Sequence, residues 1–516
     1  MKEIIYVQAG SLSNFTGAHF WNTQEEYFIG EDEVEPLCSQ DVSFREGLSA
    51  TGYPTYCPRL LAFDDSTQFG PSSNILLEDQ VTSQASGGTD PPPLWNGEVL
   101  EIRQEPIKAI HPQTPTSDVT GGRDSTGRLT DNGTSPIVDV KYWSDFNRVS
   151  YSPRSIQKLP DRRIVEGDWN AGRELFQEYD KDTELMEGTS RRFLEECDSP
   201  QGLQIQADVD TFGSFVTTFV TEFNDGLAKL PCLIFPILST SVLAMGIDNN
   251  VSLNAVVNDA LLLQSLSEMG ASSVLVRAPH GPQEGTMNNH FTSRRWPTDP
   301  LGMYYATAIL STHVETSTLP LRLESSGSSI AAFAASLNPQ RVHLFSHLSG
   351  LLPMNSEHFT RKLYDFSFLP SATSRVFEFA RRDVSRGFSS TDFLAYEHWR
   401  DHTALRHGLV TSHHAPAFPL SPSFPRSVLS PGSFQGRDKG ILATSTSSSM
   451  FSTIRTSSQM SSLFSSYASS ISKAIMQSSS ARDLLGHDLD ELKDLVNDLW
   501  TIHDNYSCEV DSVDEN

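Results

Sequence analysis

The sequence predicts an α/β protein built on a mainly parallel sheet with helices on both faces. It opens with a short apolar run, Ile4–Val7, which passes through a turn of small residues into a helix predicted over Asn14–Trp21. Strand-like and helix-like patterns then alternate through the middle of the chain. The apolar segment Cys232–Leu238 has the length and composition of a buried strand within that alternation.

The next elements follow in order along the first third of the chain. Tyr56–Phe63 is typical of a second buried strand, which ends at Asp64. From Gly70 to Pro136 the composition shifts to Pro, Gly, Ser and Thr, which indicates a long loop with a brief strand at Leu94–Ile102. We expect order to resume near Ile137.

The middle of the chain supplies the clearest periodic patterns. A helix is predicted over Glu174–Glu196 and a strand over Gly202–Ile205. A loop and helix follow at Asp208–Leu227, where four phenylalanines recur close to helical spacing. That aromatic stripe indicates a buried helix face; its members are Phe212, Phe215, Phe219 and Phe223.

In the second half, strands are predicted at Thr318–Leu323 and Val342–His347, with an Ala-rich helix at Ile330–Leu337 between them. Pro279–Pro300 and Thr411–Ser449 have the composition of a loop and of a flexible segment. Two helices close the chain: Met460–Ile475, whose opposite face is almost all Ser, and Ala481–Trp500, with an acidic outer face.

Composition limits the classes of function. The 516 residues suffice for two or three packed units, and a net charge of −26 disfavours direct nucleic-acid binding because phosphate backbones are repelled. Five widely spaced cysteines without a CxxC pair indicate reduced thiols. The first ten residues lack the features of a targeting segment, and no apolar run is long enough to span a bilayer, so we expect any membrane association to be peripheral.

Several segments, in order, resemble the tubulin family. They are Met1–Trp21, Tyr56–Asp64, Gly167–Gly172 (GDWNAG), Glu196–Ile205, Leu321–Leu323 and Arg341–Phe345. The resemblance implies a Rossmann-type nucleotide-binding-like domain, an α+β intermediate domain and C-terminal helices. We expect a first domain over 1–280 with an insertion at about 66–165, an intermediate domain over 281–410, the flexible segment over 411–450, and C-terminal helices with an acidic tail over 451–516.

The resemblance also implies where a vestigial nucleotide pocket would lie. The matching positions are Gly10, Ser11, Asn14, Asp64, Trp169, Gly172, Gly213, Ser214 and Asn254. The glycine-rich phosphate loop of tubulins is replaced here by Asp210–Phe215, whose two phenylalanines add bulk and whose aspartate adds negative charge. The loop that completes the tubulin GTPase is replaced by Glu324–Ser329, which lacks its Asn and Asp. We therefore expect no catalytic residues, no metal ligands and no bound cofactor.

Two further segments, Tyr142–Ser155 and Glu178–Gly188, resemble the Misato family of tubulin-like proteins. Fungal members of that family are needed for partitioning of mitochondria and inheritance of mitochondrial DNA, and animal members for mitochondrial distribution and morphology. The resemblance implies a non-enzymatic organiser in the cytoplasm and at the cytosolic face of mitochondria. Its expected partners are the mitochondrial outer surface or its proteins, with tubulin or cytoskeletal factors as further candidates.

Two other functions stay open at this point. One is residual binding of GTP and magnesium with slow hydrolysis; the other is a capping or adaptor role on tubulin filaments. The Ser-faced helix Met460–Ile475 has two interpretations, insertion into a loosely packed membrane surface or packing on the protein, and packing is favoured. The pair His413–His414 has no carboxylate or Cys at ligand spacing, which favours a solvated loop over a metal site.

Overall fold

The computed structural model describes residues 2–28, 36–48, 54–70, 140–160, 168–240, 253–279, 300–324, 327–354, 363–370, 376–402, 405–429, 446–477 and 488–507. The strand predicted at Leu94–Ile102 lies outside these ranges. So do nearly all of the loops predicted at 70–136 and 279–300, and the acidic end after residue 507.

Strands and helices alternate through the first half of the chain. They are β1 (Glu3–Ala9), α1 (Ser11–Glu26), β2 (Phe44–Leu48), β3 (Pro54–Pro58), β4 (Leu60–Asp65), β5 (Ile156–Leu159), α2 (Trp169–Thr183), α3 (Arg191–Glu195), β6 (Pro200–Asp208), α4 (Val209–Gly226), β7 (Cys232–Ile237), α5 (Leu253–Glu268) and β8 (Ser272–Leu275). A π-helical turn, Leu185–Ser190, lies between α2 and α3.

The second half begins and ends with helices. Its elements are α6 (Pro300–Thr318), α7 (Ile330–Leu337), β9 (Phe345–Leu351), β10 (Tyr364–Asp365), β11 (Glu378–Arg386), α8 (Ser390–His402), β12 (Leu405–Ala415), β13 (Phe418–Pro419), β14 (Ser447–Ser448), β15 (Met450–Ser457), α9 (Met460–Gln477) and α10 (Leu489–Tyr506).

One large sheet organises the fold, in the order β12-β11-β15-β9-β8-β7-β6-β1-β4-β5. The strands from β5 to β9 run parallel, whereas β15 pairs antiparallel with both β9 and β11. The six neighbouring strands β5-β4-β1-β6-β7-β8 can be numbered by their order of appearance in the chain. Across the sheet they then follow the order 3-2-1-4-5-6, which is typical of doubly wound nucleotide-binding folds. The predicted α/β class and the mainly parallel sheet are confirmed.

The two sheet faces build two cores. Ile5 and Val7 of β1 point into the core that also holds the buried residues of α4, α5, α9 and α10. Ile4 and Tyr6, one residue out of phase, point into the core with α1, α6 and α7. This alternation follows from the two-residue period of a strand and confirms helices on both faces.

The strand predicted at Thr318–Leu323 is wrong: α6 runs to Thr318 and continues as a 3₁₀ turn at Leu319–Leu321. Because α6 is buried on nearly every side, its sequence has no amphipathic period that would mark it as a helix. The Thr318 hydroxyl donates to the Val314 carbonyl (2.8 Å), so a β-branched residue is accommodated within the helix.

Two other predicted elements are divided. The segment Tyr56–Phe63 contributes to two strands, β3 and β4, because Pro58 cannot donate a ladder hydrogen bond and the chain leaves the β2–β3 hairpin there. The helix predicted over Glu174–Glu196 breaks at Glu184, whose φ of 52° is left-handed, before the π turn and α3.

The segment predicted as flexible, 411–450, contains ordered structure. Strand β12 extends to Ala415 in parallel register with β11, and the Ser385 hydroxyl lies 2.5 Å from Nδ1 of His414. His413 and His414 are therefore strand residues, which corrects the solvated-loop interpretation. The Ser and Pro content that suggested flexibility belongs in part to β13 and a 3₁₀ turn at Arg426–Leu429.

The Ser-faced helix predicted near the C-terminus is α9, and it packs on the protein. Its apolar side is buried against α5, α10 and the sheet, which is the favoured of its two interpretations; the buried residues include Leu463, Phe464, Tyr467 and Ile471. Asp488 is the N-cap residue of helix α10 and forms a capping box with Glu491.

A buried carboxylate connects the two halves of the molecule. Oε1 of Glu315, on α6, accepts hydrogen bonds from Gln24 (3.1 Å) and Tyr27 (2.9 Å) at the end of α1. The same oxygen lies 3.0 Å from Arg322, and Oε2 lies 3.4 Å from Arg386 of β11. All of these charges are buried, so each needs its partner.

Gly350 of β9 tests how tightly the sheet packs on α6. A Cβ there would lie 2.4 Å from the Phe451 carbonyl oxygen and 2.4 Å from Cε1 of His313, so backbone must move. We expect Gly350→Ala to lower the free energy of unfolding by about 1–3 kcal/mol in urea denaturation. Gly226→Ala, where nothing lies within 4 Å, is the matched control and should be neutral or slightly stabilising; equal losses in both variants would contradict this packing.

Candidate functional site

The candidate site lies at the carboxyl ends of β1, β4 and β6. In the sheet, β4 and β5 lie on one side of β1. The later strands β6, β7 and β8 lie on its other side, so the strand order reverses between β1 and β6. This is the topological switch point at which doubly wound folds bind ligands. Gly10 (φ 103°) leads from β1 directly into α1, so the first N–H groups of α1 face this switch point.

The carboxylate of Asp208 occupies the N-terminus of α1. Its Oδ2 accepts a hydrogen bond from the Leu12 backbone N–H (2.8 Å), and its Oδ1 accepts from the Ser13 N–H (2.8 Å) and hydroxyl (2.7 Å). A Cβ on Gly10 would lie 2.5 Å from Cγ of Asp208, so only glycine allows this approach. The donors that a helix offers to a phosphate are thus used by a side chain of the same chain.

Asp64, at the end of β4, forms a second cluster beside the first. Its Oδ2 accepts from the Ser11 hydroxyl (3.1 Å) and from Nδ2 of Asn14 (3.2 Å), and its Oδ1 accepts from the Asp65 N–H (2.9 Å). The same Asn14 amide also donates to the Phe63 carbonyl (3.0 Å). Of the predicted residues, Gly10, Ser11, Asn14 and Asp64 are therefore brought together.

Both carboxyls titrate well above their ordinary range. Burial raises the pKa of Asp208 to about 7, although the hydrogen bonds from Ser13 and Leu12 lower it and the nearby Asp64 charge raises it. Burial likewise raises the pKa of Asp64 to about 6, against hydrogen bonds from Asn14, Asp65 and Ser11. The cleft holds two acidic groups where a nucleotide would bring further negative charge.

The other predicted glycines serve helix packing. A Cβ on Gly213 would lie 3.0 Å from Cζ3 of Trp169, and one on Gly172 would lie 3.1 Å from Cβ of Ser214. These four residues bring the first turns of α2 and α4 together. Asn254 is the second residue of α5, the crossover between β7 and β8, two strands away from β1.

The two phenylalanines expected to crowd a phosphate lie elsewhere. Because α4 begins at Val209, directly after β6, Phe212 and Phe215 fall on its buried face. The Phe215 ring lies 5.2 Å from that of Phe63 and 5.3 Å from that of Phe176. The expected bulk at the phosphate position is thus wrong, whereas the interpretation of the aromatic stripe as core is confirmed.

Asp208 and Ser13 were not predicted as site residues from the sequence. The acidic residue that the sequence placed near a phosphate was Asp210, which is exposed. The available signal was an acidic residue at the end of a strand parallel to β1 and level with the turn into α1. In the register, Ala9 pairs with Ala207, which places Asp208 opposite Gly10.

The residues present do not fit a bound nucleotide. Asp208 uses the Leu12 and Ser13 donors, and its carboxylate would repel a phosphate in the same position. Within the ranges that the structure covers, no group of three or more His, Cys, Asp or Glu residues is placed to hold a metal ion. Nor does any helix in those ranges have the length and apolar content needed to cross a membrane.

Comparisons with known proteins define the class. A family model described as the Misato segment II tubulin-like domain matches residues 2–115, and one described as the tubulin domain matches residues 134–323. The fold and these matches define a tubulin-like protein.

Curated fungal proteins are similar to part of this chain. Protein dml1 of Aspergillus oryzae is 30% identical over 329 residues, covering 63% of this chain and 62% of that protein. Protein DML1 of Gibberella zeae is 29% identical over 348 residues, covering 66% and 65%. Protein dml1 of Schizosaccharomyces pombe is 30% identical over 284 residues, covering 52% and 58%. The chain is thus similar to Misato-type, tubulin-like proteins, and it spans somewhat less than two thirds of the length of these relatives.

Removal of the Asp208 carboxylate should turn the α1 N-terminus into an anion site. Asp208→Ala leaves three donors unpaired, and we expect it to lower the free energy of unfolding by about 1–3 kcal/mol. Sulfate or inorganic phosphate should then raise the unfolding temperature of Asp208→Ala more than that of the wild type, because the anion replaces the carboxylate.

Asp64→Ala is the matched control for that experiment. It also removes a buried carboxylate but leaves Asp208 on α1, so its response to sulfate should equal that of the wild type, which reflects only the general salting effect. Equal shifts in all three proteins would show that the α1 N-terminus binds no anion.

The raised pKa of Asp208 also predicts a pH dependence. The folded group titrates at about 7 and the unfolded group at its ordinary 3.8, so the stability it confers is fully present below 3.8 and is lost as pH rises through about 7. The difference in free energy of unfolding between wild type and Asp208→Asn should fall by up to roughly 1.4 kcal/mol per pH unit across that window. Urea denaturation across that range measures it, and a constant difference would contradict the raised pKa.

Proposed function

We propose that this chain is a non-enzymatic tubulin-like protein that acts in partitioning and inheritance of mitochondria and mitochondrial DNA, and in mitochondrial distribution and morphology. It works in the cytoplasm and at the cytosolic face of mitochondria. The observation that carries the non-enzymatic part is the Asp208 carboxylate on the Leu12 and Ser13 N–H groups.

That contact supports a loss of nucleotide cycling for a physical reason. In doubly wound folds the first helix N-terminus cradles phosphate with its free N–H groups and its dipole. Here the Asp208 carboxylate accepts hydrogen bonds from these N–H groups and lies at the positive end of the helix dipole, so no ligand is needed. Because Asp208 occupies the phosphate position, the conformation there does not depend on a bound nucleotide. A constant conformation of this kind suits a scaffold protein.

The mitochondrial part of the proposal rests on the similarity to the Misato segment II domain and to the DML1 proteins. The outer surface of mitochondria, or its proteins, is the proposed partner, with tubulin or cytoskeletal factors as further candidates. The net charge of −26 argues that any effect on mitochondrial DNA inheritance acts through partitioning of the organelle, because the protein repels nucleic acid.

Residual GTP binding is the second candidate, and one observation favours it. Asp64 stands at the end of β4 with Ser11 and Asn14 beside it, so part of a polar pocket is assembled at the switch point. Binding there requires Asp208 to leave α1.

Calorimetry with GTP and magnesium tests the non-enzymatic part. We expect no saturable heat up to millimolar nucleotide at neutral pH, for the wild type and for Asp64→Ala alike. A micromolar dissociation constant in the wild type that is lost in Asp64→Ala would establish the GTP-binding alternative instead.

Fractionation and imaging test the cellular part. The tagged protein should sediment with mitochondria, be removed by protease added to intact organelles, and cause unequal mitochondrial partitioning when depleted. Depletion that leaves mitochondrial distribution and DNA content unchanged would refute it.

A further inference from the structure

One outer edge of the large sheet is formed by β12, which has 11 residues and is the longest of the described strands. It pairs with β11 up to Ala415, whose carbonyl accepts a hydrogen bond from the Gly387 N–H (3.0 Å). Ala415 therefore turns its backbone groups toward β11. Because these groups alternate along a strand, those of Val410, Ser412 and His414 point to the outer edge. No other described strand pairs with that edge.

A buried arginine without a carboxylate partner lies beside this edge. Arg382 of β11 is 5% exposed, its Nη1 donates to the Ser336 hydroxyl of α7 (2.6 Å), and its guanidinium lies 4.1 Å from the centre of the Phe333 ring. Its Nε is also buried and has no hydrogen-bond partner in the described part of the chain. Burial lowers the pKa of Arg382 to about 10, and no described carboxylate counteracts that effect. An unpaired buried cation is costly, so an anion from a binding partner would stabilise it.

The neighbouring side chains on the same face of the sheet also lack an acid. Thr411 lies directly opposite Arg382 in the register, and its buried hydroxyl has no hydrogen-bond partner among the described residues. Burial lowers the pKa of His413, two residues further on, and the charges of Arg382 and His414 lower it again. Leu409, two residues before Thr411, is 46% exposed. We call Arg382, Leu409, Thr411 and His413 the β12 face; it combines an apolar side chain with unpaired donors.

We infer that β12 binds an extended acidic segment of a partner protein, which adds to the outer edge as a further strand and places a carboxylate on Arg382. Backbone pairing would supply affinity, as in other complexes formed by strand addition. A strand added beyond β12 lies about 10 Å from β11, a distance that Arg and Glu side chains span together. The guanidinium of Arg382 can hold a carboxylate in its plane while it stacks on Phe333.

Charge and shape decide against the other occupants. A second copy paired through the same edge would bring another Arg382 to this face instead of an anion. An anionic membrane or a nucleic acid has no strand to pair with β12, and both are repelled by a net charge of −26. The β12 face consists of residues within the described segments 376–402 and 405–429, and Ser336 lies within 327–354.

The binding test uses the full chain and a labelled ten-residue peptide, followed by fluorescence anisotropy. The peptide alternates Val and Thr, with Glu at two central positions on one face; a peptide with Gln at those positions is the charge control. We expect saturable binding of the Glu peptide and roughly tenfold weaker binding of the Gln peptide. Arg382→Met should reduce the affinity for the Glu peptide to that for the Gln peptide.

A second pair of variants tests the sheet edge itself. Val410→Pro removes one outward N–H and leaves the ladder with β11 intact, so it should weaken binding of both peptides. Val410→Ala is the matched control, because it shortens the same side chain but keeps the N–H. Its affinity for both peptides should equal that of the wild type.

Urea denaturation checks that Arg382 has no partner within the protein. Arg382→Met removes an unpaired cation, so the midpoint of unfolding should stay the same or rise. Arg386→Met is the matched control, since it leaves the Glu315 carboxylate without that ion pair, and its midpoint should fall. An equal fall in both variants would show that Arg382 is paired internally and would overturn the inference.

Other outcomes would overturn it as well. They are equal binding of the Glu and Gln peptides, no saturable binding of the Glu peptide up to millimolar concentration, undiminished affinity in Arg382→Met, a dimer in sedimentation that Val410→Pro dissociates, or Arg382-dependent binding to phosphatidylserine vesicles. None of these measurements involves nucleotide or mitochondria, so failure of this inference is distinguishable from failure of the proposed function.

Discussion

The arrangement of the molecule depends on one buried carboxylate, Glu315. It accepts hydrogen bonds from Gln24 and Tyr27 at the end of α1. It also forms ion pairs with Arg322, in the turn after α6, and with Arg386 of β11, in the second half of the sheet. Charges removed from water are tolerated only in well-formed hydrogen bonds. Three segments distant in sequence must therefore reach one place, which specifies how α1 and α6 lie on the sheet.

Helix α1 is consequently held at both of its ends. Glu315 accepts hydrogen bonds at its C-terminal end, and Asp208, at the end of the neighbouring strand β6, accepts hydrogen bonds from its N-terminal turn. Close packing along its length adds a third constraint, because a Cβ on Gly17 would lie 2.1 Å from the buried Gln8 amide. The phosphate position is thus filled by a side chain whose geometry the rest of the helix supports.

Strands and helices with a clear period could be predicted from the sequence, and the contacts that decide function could not. Helix α7 and strand β7 match their predictions closely, since each has an ordinary pattern. The end of α6 was mistaken for a strand because complete burial removes the helical period. Asp208 was not predicted because its contact with α1 depends on the register between β6 and β1. Residue spacing along the chain does not reveal how two strands pair.

The pairing of β8 with β9 has a mechanical meaning. Residues Ser273–Leu275 and Phe345–His347 form a parallel ladder, so strands from both halves of the chain belong to one continuous sheet. A rotation of one half of the chain against the other would have to break the hydrogen bonds between β8 and β9 and leave their N–H and C=O groups unpaired. Within the described residues, the continuous sheet therefore resists rotation of one half of the chain against the other, and the two halves are expected to move together.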